Sequence, residues 1–555
     1  MTTQALPDLH QVDYIVDKKG LKSWLTTTDH KRIALMYLWA ILGFFVVGMT
    51  FGLLLRAELL NPGEDFMEGA IYNRVLTLHG VVMTFLFIIP SIPAVFGNFA
   101  LPIQIGANDV SFPKLNLASW YFYLAGAVLA LCSVVAGGVD TGWTFYVPYS
   151  GNTDANVVLP MLAAFLLGWS SILTGLNMIT TVHRLRAPSM GWKQMPLFVW
   201  GIYATSWIAV LATPVVGITL VLVLFERFFQ VGIFNAALGG DPILFQHMFW
   251  IYSHPAVYIM VLPAMGVVSE IVPVFSQKRI FGYMFIAISS IAIAAIGSLV
   301  WAHHMFTSGM ADEGRVIFSF LTFFVSVPSA VKVFNWLATM YKGSIRIELP
   351  MLFAFTFIFL FSIGGFTGLM NAALAIDIHI HDTSFVVAHF HYTMFGGTGV
   401  MFFGAMYYWW PKMFGRMYNK KAGVVGLVLF FIGFNSLYFP LFLAGLAGMP
   451  RRYADYLPEF HPYHHFSTIG SWILATGLLI LIINLIGCMR KFKWWGSDAE
   501  VNPWKSATLE WRVPSPPPTH QFDADPMVTD GPYDYDIPHL GDDETSESEK
   551  AEVQA

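Results

Sequence analysis

Long apolar segments recur along the chain and are separated by short polar stretches. Each is long enough to cross a hydrocarbon core of about 30 Å as a helix. This pattern predicts an all-α membrane protein, a bundle of twelve transmembrane helices. The predicted spans lie near residues 33–55, 73–99, 117–139, 157–182, 196–225, 243–274, 280–302, 317–341, 349–372, 384–410, 423–447 and 467–489.

Composition and charge support a membrane protein and orient it. Apolar residues make up 56% of the 555 residues and charged residues 12%, against roughly 25% charged in a soluble domain. Lysine and arginine are concentrated in alternate loops, and the positive-inside rule places those loops, with both termini, in the cytoplasm. Residues 1–28 form a cytoplasmic segment too polar for a secretory signal, and residues 29–490 form the helical domain.

The segment 491–555 differs from the rest of the chain. It is rich in proline at 514–518 and acidic beyond residue 521. Such a composition predicts a cytoplasmic tail that is largely disordered and solvated. Docking of this tail to a partner is the alternative interpretation.

Six histidines lie in or at the ends of predicted spans, where ionisable groups are costly and usually functional. The predicted topology places all of them in the outer half of the bilayer. One or two could simply bond to a neighbouring helix, but six at one depth predict a buried metal layer. They are His79, His254, His303, His304, His389 and His391.

Spacing divides these histidines into sets. His389 and His391, two residues apart on a helix, point about 200° apart and therefore serve different partners. His79 completes a two-histidine site with one of them, and a haem held in this way has no open coordination position. The remaining three imidazoles form a set that suits copper, iron, zinc or nickel.

Strings along residues 24–490 resemble subunit I of the haem–copper oxidases, A-type. The string at 252–255, Tyr-Ser-His-Pro, resembles a subgroup that lacks the usual channel glutamate. The other matching strings are Leu78-His79-Gly80, Gly97-Asn98, Gly106 to Asp109, Trp301 to Phe306, Val331 to Phe334, His381-Asp382-Thr383, Ala388 to Tyr392 and Met449 to Arg452.

The resemblance implies cofactors and their ligands. The helix bundle would enclose two haems, of haem a type, and one copper ion. His79 and His391 would ligate the low-spin haem, and His389 would be the proximal ligand of the high-spin haem. Tyr258 would be the catalytic tyrosine cross-linked to a copper histidine, although an interfacial aromatic is its ordinary interpretation. The copper ligands would be His254, His303 and His304.

The resemblance also implies a four-electron reduction of dioxygen to water coupled to proton pumping. Lys332, with Ser329 and Ser269, matches the lysine proton channel; a snorkelling lysine is the alternative. Asp109, at the mouth of a second channel, would act with Asn98 and Asn116, whereas an ordinary loop aspartate is the alternative for Asp109 alone.

One position departs from the common pattern of the family. Many members have a glutamate two residues after the copper histidine, and this chain has Ala256. Tyr252 precedes that position by four residues, about 6 Å along a helix. Its hydroxyl could therefore replace the carboxyl group, with Ser253 helping to hold water. We expect proton pumping to be retained.

Polar groups of the outer side match sites near the haems and subunit II. His381 and Asp382 resemble ligands of a magnesium or manganese ion at that interface. Arg451 and Arg452 resemble residues that bind haem propionates, and an arginine–carboxylate match is physically apt. Further haem contacts, to a formyl and a propionate group respectively, would come from Arg56 and Trp143.

The resemblance implies partners and a location as well. The partners would be oxygen, subunit II with a dinuclear copper centre, subunit III, membrane lipid, and cytochrome c or a fused cytochrome c domain, within a possible larger respiratory supercomplex and without nucleic acid. The location would be the inner membrane of a bacterium. Alternatives are a quinol oxidase of the same superfamily and, from another class, a non-redox transporter whose histidines relay protons.

Overall fold

Membrane-length helices dominate residues 12–533, the part of the chain that the structure, a computed structural model, describes. Among these residues, eleven helical segments are long and apolar enough to cross a membrane. They are His30–Glu58, Gly69–Gln104, Pro113–Val135, Val158–Arg184, Leu197–Phe229, Pro242–Ser276, Tyr283–Met305, Asp312–Met340, Leu349–Ala372, Lys420–Leu446 and Pro458–Cys488.

The predicted tenth span is also helical, but it is assembled from three pieces. An α-helix, Ser384–Phe390, continues into a π-helix, His391–Gly399, and then into an α-helix, Val400–Phe414. This span is not among the eleven, so twelve crossings remain a prediction. Two further π-helices, Val82–Ile88 and Pro93–Gly97, interrupt the second span.

Helix positions differ in how far they are enclosed by protein. In the most apolar window of Pro242–Ser276, 89% of the residues are buried, against 11% for Asp312–Met340. Pro242–Ser276 therefore lies at the centre of the bundle and Asp312–Met340 at its edge. Edge helices expose large apolar side chains such as Phe320 and Phe366, as expected for surfaces that face lipid tails.

Glycines allow the last two long helices to approach closely. A Cβ atom at Gly470 would lie 2.5 Å from the backbone nitrogen of Leu437, and one at Gly477 would lie 2.6 Å from that of Phe430. Small residues commonly line such contacts between membrane helices because they let the backbones approach.

Short elements connect the long helices, form the ends of some of them or lie beyond them. Two short strands, Arg416–Met417 and Ser497–Asp498, pair antiparallel, with Arg416 opposite Asp498. The short helices and helical turns are Leu21–Leu25, Tyr149–Asn152, Trp192–Gln194, Ala236–Leu238, Trp301–Met305, Leu374–Ile380, Pro458–Phe460 and Leu509–Trp511.

The C-terminal segment, residues 491–533, corrects one prediction. We expected a largely disordered tail, but this part packs on one end of the bundle, which we call the tail-bearing end. The side chains of Trp504, Trp511 and Tyr533 are each at most 2% exposed. Asp13 also forms a backbone bridge to Pro518. These apolar side chains are too widely spaced to form a periodic pattern. Residues 1–11 and 534–555 lie outside the described part.

Candidate functional site

A large internal cavity of about 930 Å³ lies among the helices. Its walls are mostly apolar, and polar groups converge on it from several helices. A cavity of this kind is the usual form of a cofactor site. Its walls include all six histidines that the sequence analysis singled out: His79, His254, His303, His304, His389 and His391.

Three of these histidines form a compact cluster. One ring nitrogen each of His254, His303 and His304 lie within 4.8 Å of one another, and His254 Nδ1 is 3.1 Å from His304 Nε2. His254 Nε2 is buried and has no hydrogen-bond partner among the described residues. The Trp250 ring stacks on His304 at 3.7 Å and 13°. This nitrogen set is suited to a copper or zinc ion.

The central helix and a short turn bring the cluster together. His254 lies on Pro242–Ser276. His303 and His304 lie on the Trp301–Met305 turn, after the preceding α-helix has ended at Gly297. His303 Nδ1 also contacts Thr322 Oγ1 at 3.2 Å, which fixes the orientation of that ring.

Tyr258 lies one turn beyond His254 and lines the same cavity. The centroids of the two rings are 4.9 Å apart, at an interplanar angle of 72°. The space for the tyrosine ring depends on Gly297, since a Cβ atom there would lie 2.5 Å from two ring carbons.

His79 and His391 have similar hydrogen bonds. His79 Nδ1 donates to the carbonyl of Gly48 at 2.8 Å, and His391 Nδ1 donates to that of Val387 at 2.8 Å. In both rings this leaves Nε2 free for a metal, and a bonded Nδ1 is the usual arrangement of a ligating histidine. The His391 ring stacks on Tyr438 at 4.2 Å.

His389 faces a different helix from His391. Its Nδ1 is 3.1 Å from Oγ1 of Thr367, on Leu349–Ala372, whereas Tyr438 belongs to Lys420–Leu446. A Cβ atom at Gly368 would lie 3.1 Å from the His389 ring. The two histidines are therefore directed towards different neighbouring helices.

Charged residues form one border of the cavity. Arg451 Nε lies 2.8 Å from Asp382 Oδ1, and His381 Nδ1 lies 2.7 Å from Asp377 Oδ2. Burial raises the pKa of Asp377. Burial, and then the neighbouring charge of Arg451, lowers the pKa of Arg452 to about 10. His381 and Asp382 are thus both near the cavity, but each has a different partner.

Two further predicted haem contacts also line the cavity. Arg56 donates to the carbonyl of His464 at 2.7 Å and to Thr468 Oγ1 at 3.0 Å. Trp143 lies against Gly80, where a Cβ atom would be 2.9 Å from its ring. Phe390, between the two histidines of its helix, is 38% exposed and borders the cavity.

The predicted lysine channel is only partly brought together. Lys332 is buried, and its ammonium group donates to Ser290 Oγ at 2.7 Å. Ser329 instead donates to the carbonyl of Val325, one turn before it. Ser269 accepts a hydrogen bond from Trp336 at 3.0 Å.

The residues of the predicted second channel lie towards the tail-bearing end. Asp109 is half-buried in a loop and accepts a hydrogen bond from the backbone of Val110 at 2.7 Å. Burial raises the pKa of Asp109 to about 7. Asn98 and Asn116 are fully buried, and both side-chain polar atoms of Asn116 lack hydrogen-bond partners among the described residues.

Tyr252 and Ser253 occupy the central helix beside Ala256. Tyr252 is 3% exposed, and no hydrogen bond joins its hydroxyl group to another described residue. Ser253 Oγ is likewise buried without a partner. The two neighbours therefore present unsatisfied polar atoms in a largely apolar environment.

Sequence reasoning missed several residues that hold the site together. Thr322, Thr367 and Ser290 are small polar residues in apolar spans, and nothing in the sequence marks them. Asp377 could have been found, because an acidic residue four positions before His381 lies on the same face of a helix.

Comparison with known proteins decides the family. The family described as Cytochrome C and Quinol oxidase polypeptide I matches residues 32–473. The chain belongs to this family. Cytochrome c oxidase subunit 1 of a Synechocystis strain is 43% identical over 93% of each chain. The protein of the same name from Bacillus sp. PS3 is 42% identical over 93% of this chain and 84% of its own.

The fold comparison agrees with this membership. A solved heme-copper terminal oxidase dimer has a TM-score of 0.72, with 21% identity over 95% of this chain and 99% of that chain. At this identity the likeness establishes the fold. As a subunit I of the cytochrome c oxidase type, the chain is a membrane oxidoreductase, and family membership implies haem, copper, oxygen and subunit II.

The residues fit these cofactors. The partnerless His254 Nε2 lies within the three-imidazole cluster. Gly52 and Gly368 make room for the rings of His79 and His389, since a Cβ atom would lie 3.0 and 3.1 Å from the respective rings. The cavity between the histidines is about 930 Å³, in the range of pockets that enclose large organic ligands.

Proposed function

We propose that this chain is the catalytic subunit of a respiratory terminal oxidase that reduces dioxygen to water, accepts electrons from cytochrome c through subunit II, and pumps protons. The observation that carries the proposal is the cavity with six histidines in its walls. Three of them each place a ring nitrogen within 4.8 Å of the other two, so that one metal ion could bind all three.

Each histidine has a separate task in this proposal. His79 and His391 would hold the low-spin haem, and His389 the high-spin haem. His254, His303 and His304 would hold the copper ion. When bound, these centres supply electron transfer and oxygen reduction. The protein fixes their positions through the Nδ1 hydrogen bonds to Gly48, Val387 and Thr367.

Protons would reach the site through residues of the chain. Tyr258 would donate a proton and an electron from its position beside His254. Lys332 would deliver protons towards it, with Ser290 as the direct hydrogen-bond partner and with Ser329 and Ser269 along the route. An ionisable group at this depth is costly, so those present in spans are usually functional.

The second channel would begin at Asp109, continue past Asn98 and Asn116, and end at Tyr252 and Ser253. Assignment to the subgroup with Tyr-Ser-His-Pro rests on the sequence match. It is supported by the burial of Tyr252 and by the partnerless Ser253 hydroxyl group, since such atoms can hold a bridging water.

Replacing Tyr252 with phenylalanine tests this relay. The Tyr252→Phe oxidase should lose most of its pumped protons because the hydroxyl group is removed while the ring remains. The measurement is the proton-to-electron ratio of the oxidase in vesicles. Tyr121→Phe, at a 42% exposed position, is the control. Normal turnover with a normal ratio in Tyr252→Phe would overturn the relay.

The electron donor distinguishes this proposal from a quinol oxidase. Asp382, with His381, would hold a magnesium or manganese ion at the subunit II interface, and quinol-oxidising relatives tend to lack that aspartate. Arg451, Arg452, Arg56 and Trp143 would contact the haem substituents. Oxygen uptake with reduced cytochrome c but not with quinol is expected, and the reverse preference would favour the quinol oxidase.

A visible spectrum tests the whole proposal. Reduced-minus-oxidised spectra of the purified protein should contain two haem contributions, and pyridine haemochrome analysis should identify haem a. A preparation without haem bands would refute the oxidase and favour a non-redox transporter. Further parts of this proposal are cytoplasmic termini, which the loop charges support, placement in a bacterial inner membrane, subunit III as a partner, and a larger respiratory assembly.

A further inference from the structure

Two glutamates far apart in the sequence are fully buried at the tail-bearing end. Glu270 lies in the last two turns of Pro242–Ser276, and Glu510 lies on the Leu509–Trp511 turn of the C-terminal segment. Both are 0% exposed. Neither belongs to the cavity or to the two proposed proton channels.

The Glu270 carboxyl group is only half satisfied. Its Oε1 accepts hydrogen bonds from the backbone nitrogen of Phe198 at 2.9 Å and from the Tyr533 hydroxyl group at 2.5 Å. Its Oε2 is buried and has no partner among the described residues. The C-terminal segment therefore supplies one of its two donors.

Glu510 has the same arrangement. Its Oε1 accepts hydrogen bonds from the Gln104 amide at 2.9 Å and the Trp409 indole at 3.3 Å. Its Oε2 is also buried without a partner among the described residues. Each glutamate thus has one oxygen that accepts two of these hydrogen bonds and one oxygen without a partner in the described part of the chain.

The two carboxyl groups are neighbours. Phe198, whose nitrogen binds Glu270, packs its ring against Trp409 at 5.0 Å, and the Trp409 indole binds Glu510. The two groups also interact electrostatically. They are therefore like-charged groups in one dry environment if both are ionised.

No cation pairs with either carboxyl group among residues 12–533. Lys412 interacts electrostatically with Glu510, but its ammonium group bonds to the carbonyls of Val501, Val513 and Pro514. The tyrosines Tyr533 and Tyr283 also act electrostatically on Glu270.

We propose that Glu270 and Glu510 form a buried proton-binding site that holds at least one proton at neutral pH. Two unpaired carboxylates in a low-dielectric environment are too costly to coexist, and protonation removes the cost. A carboxyl group protonated on Oε2 is consistent with an Oε2 atom that accepts no hydrogen bond. Burial also raises the pKa of Glu510.

Protons can reach the site from the tail-bearing surface. A small cavity of about 50 Å³ lies beneath the C-terminal segment, and Gln104, Thr508 and Arg512 are among its walls. A cavity of this volume is large enough for a water molecule. Gln104 connects it to Glu510, so the exchange path is short. The site differs from the proposed oxidase chemistry and does not depend on it.

Infrared spectra of the intact, oxidised oxidase complex test the proposal. At pH 7 the protein should show a protonated-carboxyl C=O band that shifts in D₂O. Glu510→Gln and Glu270→Gln should each reduce that band, because either substitution deletes one carboxyl group and relieves the repulsion on the other, whereas the contribution of Asp109, whose pKa is raised to about 7, should persist in both. Full retention of the band in both variants would overturn the site.

A matched control is available in Glu226. It is buried, but its Oε2 accepts three backbone hydrogen bonds, from Ile233, Phe234 and Asn235, which stabilise the ionised form. Glu226→Gln should leave the protonated-carboxyl band intact. Loss of that band in this variant would assign it elsewhere and refute the proposal.

Tyr533→Phe provides an independent measurement if either glutamine variant does not fold. Removing the donor to Glu270 should shift the carboxyl band to higher frequency, whereas an unchanged band would refute its assignment. Because these spectra need no turnover, a protein with haem bands and oxygen uptake but no carboxyl band would reject this site alone.

Discussion

His79, His389 and His391 each use Nδ1 in a hydrogen bond and keep Nε2 for the cavity. Such partners fix both the tautomer and the ring orientation of a ligand. Two partners are backbone carbonyls, which substitution of a side chain does not remove. Thr367 is the exception, so His389 is the ring whose orientation depends on another side chain.

Gly297→Ala should displace Tyr258. The new methyl group would lie 2.5 Å from two carbons of the tyrosine ring, and misplacement of a reacting group by about 1 Å can cost about 100-fold in rate. We expect oxygen consumption to fall about 10- to 100-fold while the haem spectrum is retained.

Gly43→Ala is the control for this substitution, because a Cβ atom at Gly43 meets nothing within 4 Å. Its oxygen consumption should equal that of the unaltered oxidase. Undiminished activity in Gly297→Ala would show that the position of Tyr258 is not critical.

Proton uptake at Asp109 should depend on pH near neutrality. Burial raises its pKa from 3.8 to about 7, with the charge of Asp29 acting in the same direction and that of Lys31 opposing it. A raised pKa means that the folded protein binds the proton of Asp109 more tightly than the unfolded chain does. The stability that this proton contributes is complete below pH 3.8 and is lost as the pH rises through about 7. Uptake through this group should therefore slow as the pH rises through about 7.

The measurement is the rate of proton uptake by oxidase vesicles between about pH 5 and about pH 9. Asp109→Asn should remove this pH dependence together with most pumping. Asp312→Asn, at the opposite end of the molecule, should retain the pH dependence of proton uptake and the pumping. A rate that does not change near pH 7 in the unaltered protein would contradict the prediction.

Single residues were predictable where the membrane makes them costly. Six histidines and one lysine were conspicuous because ionisable groups are rare in spans, and all six histidines line one cavity. Their partners were not predictable. Ser290 binds Lys332 from another helix 42 positions away, and a serine in an apolar span has no distinguishing pattern.

At the scale of elements, hydropathy predicted where helices occur but not how they are wound. The segment after His79 and the segment beginning at His391 both adopt π-helix. A π turn is wider than an α turn and changes the direction of the side chains that follow, and such turns are frequent at functional sites. Hydrophobic periodicity averages over several turns, so one widened turn is invisible to it.

Close packing of the last two long helices should depend on Gly470. Its Cβ position lies 2.5 Å from the backbone nitrogen of Leu437, and backbone cannot move aside as a side chain can. Gly470→Ala should therefore destabilise the purified protein by about 1–3 kcal/mol, measured by thermal unfolding. Gly43→Ala is again the control, and an unchanged melting temperature for Gly470→Ala would contradict the packing argument.

At the scale of the whole molecule, the C-terminal segment completes the tail-bearing end. Lys31 is fully buried, and its ammonium group donates to the carbonyl of Thr519 at 3.0 Å and to Gln521 Oε1 at 3.1 Å. Gln521 also donates to the carbonyl of Ala107 at 2.7 Å, close to Asp109. Composition predicted disorder because it averages over these individually placed contacts.

Gln521→Ala should destabilise this end of the molecule. It removes one acceptor of a buried ammonium group, and an unsatisfied buried charged donor costs about 1–3 kcal/mol or more. We expect a lower melting temperature and faster proteolysis of the C-terminal segment. His520→Ala, at the exposed neighbouring position, should change neither, and equal behaviour of the two variants would contradict this role.

The contacts of Lys31 also impose an order on biogenesis. Lys31 lies in the first turn of His30–Glu58, whereas two of its acceptors belong to residues synthesised about 490 positions later. While the ribosome is still producing the intervening helices, that ammonium group has Asp29 as its ion-pair partner, at 3.1 Å. The contacts of Thr519 and Gln521 with Lys31 and Ala107, beside Asp109, can therefore form only after translation has passed residue 521. Docking of the C-terminal segment is thus a late step in maturation.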